Sequence, residues 1–133
     1  MPSVVADTHA AAWYLLDSPK LSKRALQHMS AAVDAGEIVF VASISVVELL
    51  YLYEKGRIPA DDWKKLNEGL AADDSGVRIV PLTLGIAHDL ARVPWRSVPD
   101  MPDRIIAATA LHLGLPLVSR DGRIQAPGLE VVW

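Results

Sequence analysis

No cysteine occurs among the 133 residues, which removes disulfides, thiolate metal sites and cysteine nucleophiles at once. A basic excess is missing too: 13 Lys and Arg stand against 16 Asp and Glu, a net charge of −3. That balance argues against a generic nucleic-acid binder, although a few carboxylates gathered in one site would produce the same deficit. Aromatic residues make up only 6% of the chain, and its tryptophans do not interleave with basic residues as a single-strand stacking platform would. No stretch approaches the ~20 uninterrupted apolar residues of a membrane span. The apolar start "MPSVVADTHAAAWYLL" has no basic leader and is broken by Asp7 and His9, so it does not read as a signal peptide. These absences lead to the expectation of a cytoplasmic protein with no membrane association.

What is present suits a globule. About half the residues, 51%, are apolar and 22% are charged, which fits one compact domain over residues 1–133 and argues against disorder. Short β-branched runs recur as "SVVA" (3–6), "EIVFVA" (37–42), "VRIVPL" (77–82), "LPLVS" (115–119) and "LEVVW" (129–133). The first four are nearly continuous apolar strands, the pattern of a sheet covered on both faces. Helices are predicted between them over 8–17, 21–35, 44–55, 60–71, 84–92 and 103–113, with Gly36 and Gly114 as stops. The alternation implies an α/β fold of three layers, with a mostly parallel sheet flanked by helices. One segment departs from it. "VPWRSVPDMPD" (93–103) holds three prolines and reads as a stiff loop delivering Asp103 to a helix start.

Four acids fall at the carboxyl edge of that sheet, where open parallel sheets bind ligands. Asp7 closes strand one, Glu48 lies early in the helix after strand two, Asp103 opens the helix before strand four, and Asp121 follows strand four. Each has an ordinary explanation. Asp7 and Asp103 suit helix N-termini, Asp121-Gly122 is a common turn pair, and Ser45 with Glu48 spells a capping box. The capping box accounts poorly for Glu48, because "SISVVELLYLY" is apolar around nearly every face of its helix. A carboxylate there is neutralised, hydrogen-bonded or ligating. Four converging anions repel one another by roughly 4 kcal/mol per pair at 4 Å and an effective dielectric near 20. Such a cluster persists by binding divalent cations or by retaining protons. An all-oxygen set favours Mg²⁺ or Mn²⁺ over zinc, and hard cations held by carboxylates beside a groove are suited to phosphodiester hydrolysis. No Ser-His-Asp order, P-loop or glycine-rich dinucleotide turn competes.

The chain resembles the PIN-domain ribonucleases, in particular the VapC-type toxins of toxin–antitoxin pairs. The resemblance is carried by "DTHAAAWYL" (7–15), "LSKRA" (21–25), "VASISVVEL" (41–49), "GRIP" (56–59), "PDMPDRIIAATAL" (99–111), "LPLVSRDGRI" (115–124) and "LEVVW" (129–133). It implies a PIN-like domain with a sheet of about five strands. It also implies a metal-dependent endoribonuclease whose Asp7, Glu48, Asp103 and Asp121 hold Mg²⁺ or Mn²⁺, with Asp7 and Asp103 the principal ligands. Thr8 and Ser119 match hydroxyl positions that orient carboxylates or water. The implied partners are an RNA substrate, a cognate antitoxin protein and a second copy in a homodimer. The antitoxin groove and dimer contact would involve "LLYLYEKGRI" and "WKKLNEGLAA". Val98-Pro99 stands where many relatives carry His-Arg, which leaves the RNA grip open.

Among other residues, Arg104 and Arg120 adjoin site acids and are candidate RNA contacts, against the plainer reading of surface ion pairs. Asp100 reads as a solvated loop acid and Trp13 as a core residue. His9 reads as a packing or surface residue that stands near enough to the acids to meet a phosphate. Rival readings are a non-catalytic PIN-type module binding RNA or protein and a Mg²⁺-dependent haloacid-dehalogenase-like phosphatase. The phosphatase would need a D-x-D motif where Asp7-Thr8-His9 stands. A receiver-like domain lacks its adjacent acids and its lysine.

Overall fold

The computed structural model describes residues 2–133. Five strands, β1 (Val4–Ala6), β2 (Val39–Ala42), β3 (Val77–Val80), β4 (Leu117–Val118) and β5 (Val131–Val132), form one sheet in the order β3-β2-β1-β4-β5. Every pairing is parallel, with Val4 opposite Val39, Val5 opposite Leu117 and Val39 opposite Val77. The helices are α1 (Thr8–Leu15), α2 (Lys23–Asp34), α3 (Ser43–Glu54), α4 (Ala60–Ala71), α5 (Leu84–Asp89) and α6 (Met101–Leu113), with a 3₁₀ turn over Leu90–Arg92. This is the expected three-layer α/β domain.

The strands are apolar throughout because successive side chains enter different cores. Val5, Leu117 and Ala42 pack with Ile86 and Ile106, on the side of α5 and α6. Val4, Ala6, Val39, Val41 and Val118 pack with Ala10, Ala25 and Met29, on the side of α1 and α2. A smaller core of Ala12, Leu49 and Leu66 joins α1, α3 and α4. Period-two alternation thus feeds two helical layers, and a one-residue slip of any central strand would exchange them.

Several local expectations are corrected. The α6 helix begins two residues before Asp103, at Met101. Pro102 is tolerated there because the first-turn amides have no helical acceptor to lose. It ends where expected, with Gly114 in the left-handed region at φ 67° and no Cβ to strain it. Predicted helix 8–17 stops at Leu15, and 84–92 divides into α5 and the 3₁₀ turn. Ser45 does not cap α3, which starts at Ser43 after Ala42; the S-x-x-E spacing lies inside the helix. Nor is α3 enclosed on every side. Val47, Leu50 and Tyr51 are exposed at 47%, 40% and 59%, so its outer apolar face meets solvent.

The connections set the site. The chain runs outward from β1 through β2 to β3, then returns to the other flank of β1 for β4 and β5. The strand order therefore reverses between β1 and β4, and the loops leaving those strands diverge over a crevice at their carboxyl ends.

Candidate active site

Asp7 and Asp121 mark the two sides of that crevice. Asp7 follows β1, its amide donating to Val118 O of β4 at 3.0 Å. Its Oδ1 accepts the Ala10 amide at 2.9 Å and caps α1, while Oδ2 accepts the Ser119 hydroxyl at 2.6 Å. The capping role and the site role therefore coexist on two oxygens of one carboxylate. Ser119 is itself buried and accepts the Asp121 amide at 3.1 Å, so one hydroxyl links both acids. Asp121 turns outward to Arg123, with contacts of 3.0 Å from Nε to Oδ1 and from Nη2 to Oδ2.

Glu48 comes to the same rim from α3. Thr8, buried at the first position of α1, donates to Glu48 Oε1 at 2.6 Å and lies 2.9 Å from Ser45 Oγ. The residue that raised a difficulty in the sequence is thus half-buried and hydrogen-bonded, next to an open helix face. Asp103 stands in the first turn of α6. Beside it is Asp100, at the N-cap position without a capping bond of its own.

The acids influence one another. Burial, joined by the negative charges of Asp100, Glu48 and Asp121, raises Asp103 from 3.8 to about 6. Burial likewise raises Asp7 and Glu48, partly opposed by their hydrogen bonds from Ser119 and Thr8. Asp121 acts on Asp7, and both Asp100 and Asp7 act on Glu48. Asp121 alone of the four is lowered, because Arg123 bonds its carboxylate. Clustered carboxyls with displaced acidities are characteristic of functional sites.

Among the described residues, no three His, Asp or Glu side chains stand as a ready-made cage for one ion. Asp7, Glu48 and Asp121 are each turned to a donor of their own, which is how crowded anions relieve repulsion. The donor set nonetheless fits a hard divalent cation. It is all carboxylate oxygen, and the repulsion that pushes Asp103 upward is the energy such a cation would release.

The remaining candidates separate. Arg104 donates through Nη2 to Leu90 O at 2.8 Å and Val93 O at 3.0 Å. It braces the loop before α6 rather than reaching the crevice. Arg120 stays exposed at the rim. Asp100, read from sequence as a solvated loop acid, is exposed but charges the site; its i, i+3 spacing to Asp103 was the available signal. Trp13 packs against the core of α1 and α2, as expected, without being enclosed by it. It lies half-buried at the rim with His9, Trp133 and Arg120, a grouping drawn from both ends of the chain that no local pattern announces.

Fold and rim together define a class: a parallel α/β domain with an all-oxygen acidic site at its strand-order reversal. The chain belongs to the PIN-domain family, in its VapC-type group. The PIN domain profile matches residues 4–128. Ribonuclease VapC22 of Mycobacterium tuberculosis is 33% identical over 141 aligned positions, spanning all of both chains. Among solved structures, VapBC2 from Rickettsia felis bound to a promoter DNA fragment superposes with a TM-score of 0.72 at 16% identity, covering 97% of this chain and 96% of that one. FitAcB from Neisseria gonorrhoeae gives a TM-score of 0.63 at 23% identity, covering 96% and 95%. At these identities the structural likeness is one of fold.

Proposed function

We propose that this chain is a Mg²⁺- or Mn²⁺-dependent endoribonuclease, the toxin of a toxin–antitoxin pair, acting as one PIN-like domain over residues 1–133. The observation that carries this reading is the gathering of Asp7, Glu48 and Asp103 with Asp121 at one rim, the first three raised by burial and further by neighbouring acids. The full-length likeness to a protein named as a ribonuclease supports the choice of substrate. A bound divalent cation would be held by these four acids and would supply activation of water and relief of charge at phosphorus.

The chain's own residues do the positioning. Ser119 fixes Asp7 Oδ2 and Thr8 fixes Glu48 Oε1, so two carboxylates keep one orientation while a substrate arrives. Asp103, at the start of α6, sits where the helix dipole favours negative charge. Its raised pKa nevertheless keeps a proton on it below about pH 6 in the metal-free protein, so a cation binding there in more acidic solution must displace that proton. In-line attack by water leaves a 5′-phosphate and a 3′-hydroxyl.

Two surfaces suit the protein partners. The exposed Val47, Leu50 and Tyr51 of α3, with Leu82 and Leu84 beyond β3, offer an apolar face for a second copy. A groove of about 630 Å³ between α1, α3 and α4, lined by Leu49, Leu52, Ile58 and Leu66, suits an antitoxin segment. No helix among the described residues is long and apolar enough to cross a membrane, compatible with action on cytoplasmic RNA.

The test is cleavage of end-labelled total RNA and tRNA by purified protein with Mg²⁺, with Mn²⁺ and with EDTA, beside Asp7→Asn. Metal-dependent cuts missing from the variant sustain the reading. A folded, antitoxin-free protein that binds RNA without cutting it under any of these conditions refutes it in favour of a binding module.

A further inference from the structure

Arg120 lies between Ser119, which holds Asp7, and Asp121, yet it closes onto neither acid. Among the described residues it makes no ion pair and no hydrogen bond. Arg123, two positions on, does close onto Asp121. What holds Arg120 is an aromatic ring: its guanidinium carbon is 4.9 Å from the centroid of Trp13. Trp13 is in turn fixed by Trp133, with ring centroids 5.9 Å apart, and lies 5.4 Å from the exposed ring of His9. A guanidinium lying on an indole keeps its N–H edge unengaged and outward, the geometry that meets a phosphate with two hydrogen bonds.

The location gives that edge a use. Arg120 borders three depressions at once. One holds Asp7 and Asp121, one is the long groove toward α4, and one runs past Gln125 and Trp133. A polyanion entering the depression of Asp7 and Asp121 meets it at the border. The acids repel phosphate, so a cation beside them helps only if it is kept from collapsing onto them. Stacking on Trp13 does that.

We infer that Arg120, held in place by Trp13, binds the RNA phosphate next to the acidic rim. The inference rests on the nuclease reading and names how that site grips its substrate. Trp13 is a positioning residue, acting through Arg120.

The experiment is binding of a fluorescein-labelled single-stranded oligoribonucleotide to the full chain in EDTA, by anisotropy over a salt series. Arg120→Ala is expected to weaken binding about tenfold and to lower the slope of log K against log salt by about 0.7. Arg120→Lys keeps the slope and loses part of the affinity. Trp13→Phe stays near wild type. Trp13→Leu weakens binding severalfold but adds nothing in an Arg120→Ala background, since neighbours acting as one device are not additive. In cleavage, Arg120→Ala raises KM with kcat within about twofold. Arg120→Ala with wild-type affinity and slope overturns the inference, and being exposed it settles the point even if Trp13→Leu fails to fold. A full, independent Trp13→Leu effect overturns the positioning part and makes Trp13 a packing residue only. Wild-type cleavage with an unaltered Arg120→Ala KM defeats this inference alone. Binding without cleavage defeats the nuclease reading alone.

Discussion

Asp103 and Asp121 line the same depression and stand at opposite ends of the acid scale. Asp103, on the first turn of α6, is pushed up to about 6 by burial and by Asp100, Glu48 and Asp121. Asp121, on the loop after β4, is held below the usual carboxylate range by Arg123. Both see the same negative crevice. Two causes make the difference: Asp103 is raised first by loss of water and then by neighbouring acids, and Asp121 is lowered by the guanidinium bound to it. The rim therefore has a strained half on the helices and a relaxed half on the loop, joined by Asp7 and Ser119.

The largest effect comes from removing the acid that belongs to both halves. Asp7→Asn keeps an oxygen to cap α1 but loses the charge, and RNA cleavage is expected to fall about 10²–10³-fold, the scale for a single electrostatic group at a reacting centre. Circular dichroism should show the fold retained. Activity within tenfold of wild type would mean that the crevice's chemistry lies elsewhere. Next comes the link itself. Ser119→Ala removes the 2.6 Å donor to Asp7 and the acceptor of the Asp121 amide. It should cost about 10–100-fold in activity and about 1–3 kcal/mol of stability for the buried group left unpaired. A denaturant melt and a cleavage rate measured together test both. Loss of stability without loss of rate would confine Ser119 to packing.

The strained half has a pH signature. A carboxyl whose folded pKa lies above its unfolded value binds its proton more tightly when folded. Its cost to stability is absent below about 3.8, grows as pH rises, and is complete above about 6. Asp103→Asn removes that cost. In EDTA its melting temperature should exceed wild type by about 2–5 °C at pH near 7.5 and match it at pH near 4. Added Mg²⁺ should stabilise wild type more than the variant, because a ligand of the native state raises its stability. An unchanged melting difference across the two pH values would show that Asp103 is not strained.

Much of this was legible in the chain because it is local. Helix 60–71 needed only Pro59 and an amphipathic period, and it is found at Ala60–Ala71. Asp7 and Asp121 were placed by strand ends, since a parallel sheet sends its loops to one edge. What stayed hidden depends on contacts across the chain. Thr8 meets Glu48 and Ser119 meets Asp7 only after β1, α3 and β4 assemble, and Trp13 meets Trp133 only when β5 joins the sheet. Arg104 misled for a geometric reason. Adjacent residues on a helix point about 100° apart, so Asp103 facing the crevice turns Arg104 toward Leu90 and Val93. Arg120, in a loop, is under no such rule.

The smallest effect belongs to the relaxed half, and it is the most direct test of the contrast. Arg123 is almost wholly exposed, so Arg123→Ala should leave the melting temperature essentially unchanged. The pKa of Asp121 should nevertheless rise, because the hydrogen bonds and charge that lower it come from Arg123. Its negative charge would then weigh more fully on Asp7 and Asp103, both of which already respond to it. Carboxyl carbon titration by NMR is expected to show Asp121 moving up toward the ordinary range and Asp103 moving above about 6. The acid limb of the cleavage profile should shift to higher pH with them. If Asp121 titrates as in wild type, its low pKa comes from the loop backbone, and the two halves of the rim differ by position and not by partner.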